Sequence, residues 1–256
     1  MVKVRMVKAP MVKAKAASRG QQRPTMDEDR VVKGILKAIS LKRIRPGTKL
    51  GEDQLAEVFG TNRMHIRQVL AHLGSRNVVT LYPNRGAYVA KPSVEEARQV
   101  FETRRVLEGA ALSALVDRLG EDEIAQLRQH IARETAADHA DRWETLTVTG
   151  DFHSLIGRLA GNAVLSKFLD EIVLRTSLII ATFEAPGSHD CSSEAHPAIA
   201  ERIIARDKAG AVAAMDRHLV EMEQRLRLAS PSAGPDDIAA IFSDLGVARR
   251  TRRARR

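Results

Sequence analysis

Cysteine is almost missing: Cys191 stands alone in 256 residues, which excludes an internal disulfide and any cysteine-based zinc cluster. Aromatic residues are only 4% of the chain, too few for a single-strand nucleic-acid binder built on stacked bases. No window approaches the roughly 18 consecutive apolar residues of a membrane span, so no membrane partner is expected. Residues 1–25 hold no apolar run of about 7 to 15 residues and do not read as a secretory signal. A cytoplasmic location is the resulting expectation. The signatures of hydrolytic and phosphoryl chemistry are missing too. There is no His-Glu-x-x-His, no Gly-x-Ser-x-Gly and no glycine-rich phosphate loop, so an enzyme is not expected.

Acidic residues are absent from both ends. Residues 1–25 carry seven basic side chains and no acid, and residues 246–256 carry six arginines and no acid. Between them, residues 26–92 hold twelve basic and six acidic side chains, whereas residues 93–245 hold sixteen and twenty-six, within a net charge of +9. A positive front beside a negative rear implies that only the front approaches a polyanion. With 44% apolar and 29% charged residues the chain is globular, and its length suits two domains at roughly 100 to 200 residues each. The expected organisation is a disordered basic arm (1–25), a front domain (26–91), a helical domain (93–230) and a C-terminal extension ending in a basic tail (231–256). Both tails can add non-specific phosphate affinity.

In the front domain Val31, Val32, Ile35, Leu36 and Ile39 recur at helical spacing, and Pro46-Gly47 breaks the chain. A short helix over 52–59, a Gly60-Thr61-Asn62 turn and a helix over 63–75 form a helix-turn-helix pattern. Strands over 78–82 and 87–89, joined by Pro83-Asn84-Arg85-Gly86, read as a β-hairpin wing. The start of the second helix of such a motif faces base edges. Thr61, Asn62, Arg63, His65, Arg67 and Gln68 are therefore the expected DNA-facing residues, with Asn84, Arg85 and Gly86 in the wing. Arg63 and Arg67 share a face and suit guanine O6 and N7 or phosphate. A bare polar stripe is more often a solvated helix face; turn, wing and positive charge together favour double-stranded DNA.

Ile44-Arg45-Pro46-Gly47-Thr48-Lys49-Leu50, Glu52, Leu55-Ala56-Glu57, Arg63, Ile66-Arg67, Leu70, Leu73 and Arg85-Gly86-Ala87-Tyr88-Val89 resemble the winged helix-turn-helix of GntR-type bacterial transcription regulators. The resemblance departs at Thr61-Asn62-Arg63, where the family usually shows Val-Ser-Arg. Beyond Ser93 the chain reads as six helices, over 93–119, 121–138, 141–160, 163–185, 194–206 and 209–229, with breaks at Pro186-Gly187-Ser188 and Pro231–Pro235. Ile238, Ile241 and Phe242 are expected to dock as a short helix. The expected fold is mainly α, a winged helix-turn-helix followed by an all-α six-helix effector-binding bundle.

Arg104-Arg105-Val106-Leu107-Glu108, Phe152-His153-Ser154-Leu155, Gly161-Asn162, His196 and His218 are similar to the FCD effector domain of the FadR-like branch; six helices would match its shorter, VanR-like variant. The resemblance implies a homodimer that acts as a repressor and binds operator DNA and a small carboxylate effector. It also implies a divalent metal held by three histidines and an acid. His153, His196 and His218 each sit on an apolar helix stripe, and three imidazoles from three helices can converge on Zn, Ni, Mn or Fe, with zinc favoured. Each is equally readable as a separately buried histidine. The acid's position, four residues before His153, is Thr149, and Asp151 points about 200° away around the helix. Thr149 and Arg104 are assigned to the effector site. Arg104 suits a carboxylate, and pairs equally well with Glu108 on its own helix. The rival readings are an architectural DNA binder driven by its basic tails and a regulator that responds to the metal itself.

Overall fold

Periodic apolar residues set the helices, and the positions where the period breaks set their ends. In the computed structural model the residues described are 26–137, 142–184, 195–226 and 238–247. The expected basic arm, the Pro186–Ser188 and Pro231–Pro235 breaks and the terminal arginines lie outside them.

The front domain, or reading head, comprises α1 (Met26–Ser40), β1 (Lys49–Leu50), α2 (Glu52–Phe59), α3 (Arg63–Ser75), β2 (Val79–Tyr82) and β3 (Gly86–Val89). Gly60 closes α2 in the left-handed conformation (φ 64°), and Asn62 caps α3 by accepting from the His65 backbone N–H. The side chains of Leu55, Phe59, Ile66, Val69, Leu70 and Leu73 are buried between these helices. Here the wing departs from expectation. It is a three-stranded antiparallel sheet in the order β1-β3-β2, with Leu50 opposite Ala87 and Tyr82 opposite Gly86. A two-residue strand shows no alternation of its own, so only its partner β3 defines it.

The rear domain is the six-helix bundle α4 (Val94–Arg118), α5 (Glu121–Ala137), α6 (Arg142–Leu159), α7 (Ala163–Phe183), α8 (Ala195–Ile204) and α9 (Lys208–Gln224). Ser93 caps α4 through the Glu96 N–H, and Asn162 caps α7 through Val164 and Leu165, which makes Asn162 a helix-boundary residue. Phe101, Leu112, Leu115, Leu127, Phe152, Ile156, Leu169 and Ile203 form the bundle core. Each such side chain contributes about 1.5–3 kcal/mol of burial. No described helix is long and apolar enough to cross a membrane.

The two cores meet at α7. Its Leu169, Ile172, Ile179 and Phe183 belong to the bundle, while Leu178 is buried in the core of the head. Lys42 Nζ donates to the Glu184 carbonyl at 2.8 Å and lies 3.0 Å from its carboxylate, and Asn77 donates to Glu171 at 3.3 Å. A last helix, α10 (Ile238–Asp244), returns to the head and buries Ile238 and Phe242 in its core.

Candidate functional sites

On the head, the start of α3 presents Asn62, Arg63, Met64, Arg67 and Gln68 to solvent, while Thr61 is half-buried. The two arginines are gathered by one carboxylate. Glu52, in the first turn of α2, accepts from Arg67 Nε at 3.1 Å and Nη2 at 2.8 Å, and from Arg63 Nη2 at 3.3 Å. Asp53 lies 3.0 Å from Arg63 Nε. The hydrogen bonds from Arg67 hold the Glu52 carboxyl below the usual carboxylate range. Two guanidinium forks are thus gathered on one carboxylate before any DNA arrives, and because the pairs are solvent-exposed they contribute little to stability.

His65 differs from its expected role. It is half-buried, and its Nε2 is sealed from solvent with no hydrogen-bond partner among the described residues. Two positions along a helix is a rotation of about 200°, which turns His65 from the face that Arg63 uses. Met64, 63% exposed, was not anticipated; an apolar side chain there suits the thymine methyl group. In the wing, Asn84, Arg85 and Gly86 are all exposed. Asn84 (φ 59°) and Gly86 (φ 93°) take left-handed conformations, which asparagine and glycine adopt most readily. Arg85 lies over the Tyr82 ring at 5.6 Å.

In the bundle, His153 on α6, His196 on α8 and His218 on α9 are all buried, and one ring nitrogen from each lies within 4.8 Å of the others. The expected convergence is therefore present in the fold. His153 Nδ1 donates to Glu108 Oε2 at 2.6 Å, and His196 Nδ1 donates to Glu134 Oε1 at 2.8 Å. A carboxylate on Nδ1 fixes the tautomer that leaves Nε2 with a free lone pair, the usual arrangement behind a metal-ligating histidine. His153 Nε2 is buried and has no hydrogen-bond partner among the described residues, and His196 Nε2 lies 3.2 Å from His218 Nε2. Two nitrogens on one tetrahedral zinc, at about 2.0–2.1 Å each, stand roughly that far apart. Phe152 stacks on His196 at 4.1 Å and makes the floor dry.

Burial favours the neutral imidazole, the form that binds metal. Desolvation lowers the His153 pKa to about 4, although the Glu108 charge opposes it, and desolvation followed by the other site cations lowers that of His218 as well. Burial alone would raise the pKa of Glu108, but Arg104 and His153 overcome it and hold the value at about 2. Arg104 is buried and gives Nε to Glu108 at 2.7 Å, so the same-helix ion pair is real. Its Nη2, 2.7 Å from the same oxygen, makes no hydrogen bond. Thr149 lies one turn before His153 and its hydroxyl donates to the Thr145 carbonyl at 2.7 Å. No acid fills the position it occupies, and Asp151 is no member of the cluster.

Glu108 and Glu134 as supports of the ring were missed in the sequence, as was His130, which pairs with Glu134 at 3.2 Å. Their only sequence signal is a charged side chain on the apolar stripe of a helix, and a four-residue spacing on α5 that an ordinary surface pair shares.

Known proteins bear on both sites. Residues 28–89 match the gntR family of bacterial regulatory proteins and residues 99–221 match the FCD domain. The chain is 23% identical to the HTH-type transcriptional repressor RspR of Escherichia coli over 186 residues, 72% of this chain and 82% of that protein. Among solved structures, E. coli McbR/YncC aligns with a TM-score of 0.63 at 18% identity, covering 87% of this chain and all of that one. A GntR regulator from Rhodococcus sp. RHA1 aligns at 0.64 with 20% identity, covering 78% and 97%. A winged reading head matched over 28–89, followed by an FCD bundle matched over 99–221, makes this chain a DNA-binding transcription regulator of the GntR family, FCD type, and not an enzyme.

Proposed function

We propose that this regulator is a homodimer that reads a pseudo-palindromic operator and changes its grip when the histidine centre is filled. Arg63, Arg67 and Gln68 read bases in the major groove, Thr61 and Asn62 steady the turn, and Asn84, Arg85 and Gly86 meet the adjacent minor groove or phosphate. His153, His196 and His218 hold a divalent ion, with zinc favoured. An ion held there would offset an effector's negative charge, and Arg104 and Thr149 would orient the carboxylate. Repression is the proposed direction, in keeping with the name of the relative RspR.

One observation carries the reading. Three buried side-chain nitrogens of the bundle have no hydrogen bond among the described residues, and two of them, His153 Nε2 and Arg104 Nη2, belong to one cluster joined through Glu108; the third, Arg175 Nε, stands apart on α7. An unmatched buried acceptor such as His153 Nε2 costs about 1–3 kcal/mol, which a metal would offset, and an effector carboxylate would add a hydrogen bond to Arg104 Nη2, which now has only its ion pair with Glu108. Without an acid at position 149, the coordination left open belongs to the effector or to water. A ligand changes the DNA-bound population only through unequal affinity for the two arrangements of the heads.

Elemental analysis of the purified protein, then a thermal-shift screen of small carboxylic acids with and without chelator, tests this reading. Ligands of the folded form raise the melting temperature. The expected result is about one metal per chain, lost in His218→Ala, and acids whose shift vanishes with chelator. A metal-free protein whose melting temperature ignores zinc and every acid refutes it.

A further inference from the structure

Helix α10 lies beyond both stretches that the family matches, 28–89 and 99–221, yet it completes the core of the reading head. Phe242 is fully buried and Ile238 nearly so. The Phe242 ring meets Phe59 edge to face at 5.1 Å, and Asp244 pairs with Arg43 at 3.6 Å. Phe59 itself is held by further neighbours. Arg30 donates to its carbonyl and lies 5.9 Å over its ring, and a Cβ added at Gly34 would stand only 2.8 Å from its Cζ. The Phe59 ring thus packs against Gly34 on one side and meets the Phe242 ring on another.

Phe59 is the last residue of α2, and Gly60-Thr61-Asn62 follow it directly into Arg63 at the start of α3. Gly60 and Thr61 donate back to Glu57 and Ala56, so the turn hangs from the last turn of α2. The position of Phe59 therefore sets where the recognition helix begins. At the other end of α2, Glu52 gathers Arg63 and Arg67. A rotation of α2 moves both supports of the arginines together.

We propose that Phe242 is a positioning residue for DNA reading: helix α10 braces Phe59 from behind and so fixes the turn and the first residues of α3 against the groove. The brace also belongs to the far side of the molecule. Residues 225–237 join it to α9, the helix that carries His218, so α10 follows in the chain the helix that forms one wall of the histidine centre. The proposal rests on DNA binding alone and stands whether or not that centre holds a metal.

The test uses the full chain with F242A and F242L, a duplex enriched from a random pool by the wild type, and a scrambled duplex of equal length. Affinities are read by fluorescence anisotropy well below the unfolding temperature, with the active fraction determined for each protein. F242A is expected to lose about tenfold on the enriched duplex, a loss of the size of one base contact. On the scrambled duplex, where phosphates dominate, it changes less than about twofold. F242L, which refills most of the volume, recovers to within about threefold on the enriched duplex. An equal loss on both duplexes, or none on either, overturns the proposal and leaves Phe242 as a stabilising core residue only. Should F242A not fold, I238A at the opposite end of α10 carries the same comparison. A loss confined to the enriched duplex supports the brace, and equal affinities overturn it.

Discussion

The reading head and the effector bundle both bind an arginine to a glutamate, and the surroundings give the two pairs different work. Glu52 holds Arg63 and Arg67 at the surface, where water screens the charges and the arginines remain free to exchange a carboxylate for a base or phosphate. Glu108 holds Arg104 inside the bundle, where both are almost fully buried and a third group, His153, shares the same carboxylate. The exposed pair sets direction. The buried one sets protonation, because a dry carboxylate locked to a guanidinium stays ionised and dictates which nitrogen of the imidazole carries the proton.

That contrast can be broken most forcefully at Glu108. Glu108→Ala leaves Arg104 as an uncompensated buried charge and is expected to lower unfolding free energy by about 3–5 kcal/mol, read as a fall in the urea midpoint. A loss under about 1 kcal/mol would mean that water reaches the pair. Glu134→Gln keeps the shape but weakens the hold on His196 Nδ1, and zinc affinity should fall roughly 10- to 100-fold by competition with a chromophoric chelator. On the head, Arg67→Ala should weaken binding to an enriched duplex by about 1–3 kcal/mol; the same loss on scrambled DNA would make Arg67 a phosphate contact.

Acid sharpens the same comparison. In the folded apo protein His153 titrates near 4, below the roughly 6.5 of an unfolded chain. The unfolded state therefore takes up the proton first as pH falls. The contribution is intact above about pH 6.5 and drains away as pH drops toward 4, with Glu108, held at about 2, still ionised throughout. The melting temperature should decline across that window, and less so in His153→Gln. The smallest expected effect is that of Glu52→Ala on stability, under about 1 kcal/mol, and a larger one would erase the distinction between the two pairs.

Much of this was legible in the sequence. The six bundle helices lie along the stretches that the apolar period marks, with Ser93 and Asn162 capping two of them, because amphipathic period and cap chemistry are local properties. The helix-turn-helix was readable for the same reason: Gly60 and Asn62 have to sit between two short apolar stripes. Strand β1 was not, since its two residues carry no pattern. His65 has the polar chemistry of a DNA contact, but its place two residues after Arg63 turns it from the arginine face.

By itself the sequence determined which stretches become helices, which stripe of each is apolar, which third of the chain is positive, and that three histidines lie on apolar stripes. Only the tertiary structure decided what stands behind them. Glu108 and Glu134 lie 45 and 62 residues from the imidazoles they hold, and Phe242 stands far along the chain from the Phe59 it braces. Local order follows from neighbouring residues, whereas a partner brought in by packing leaves no trace in the spacing of either segment.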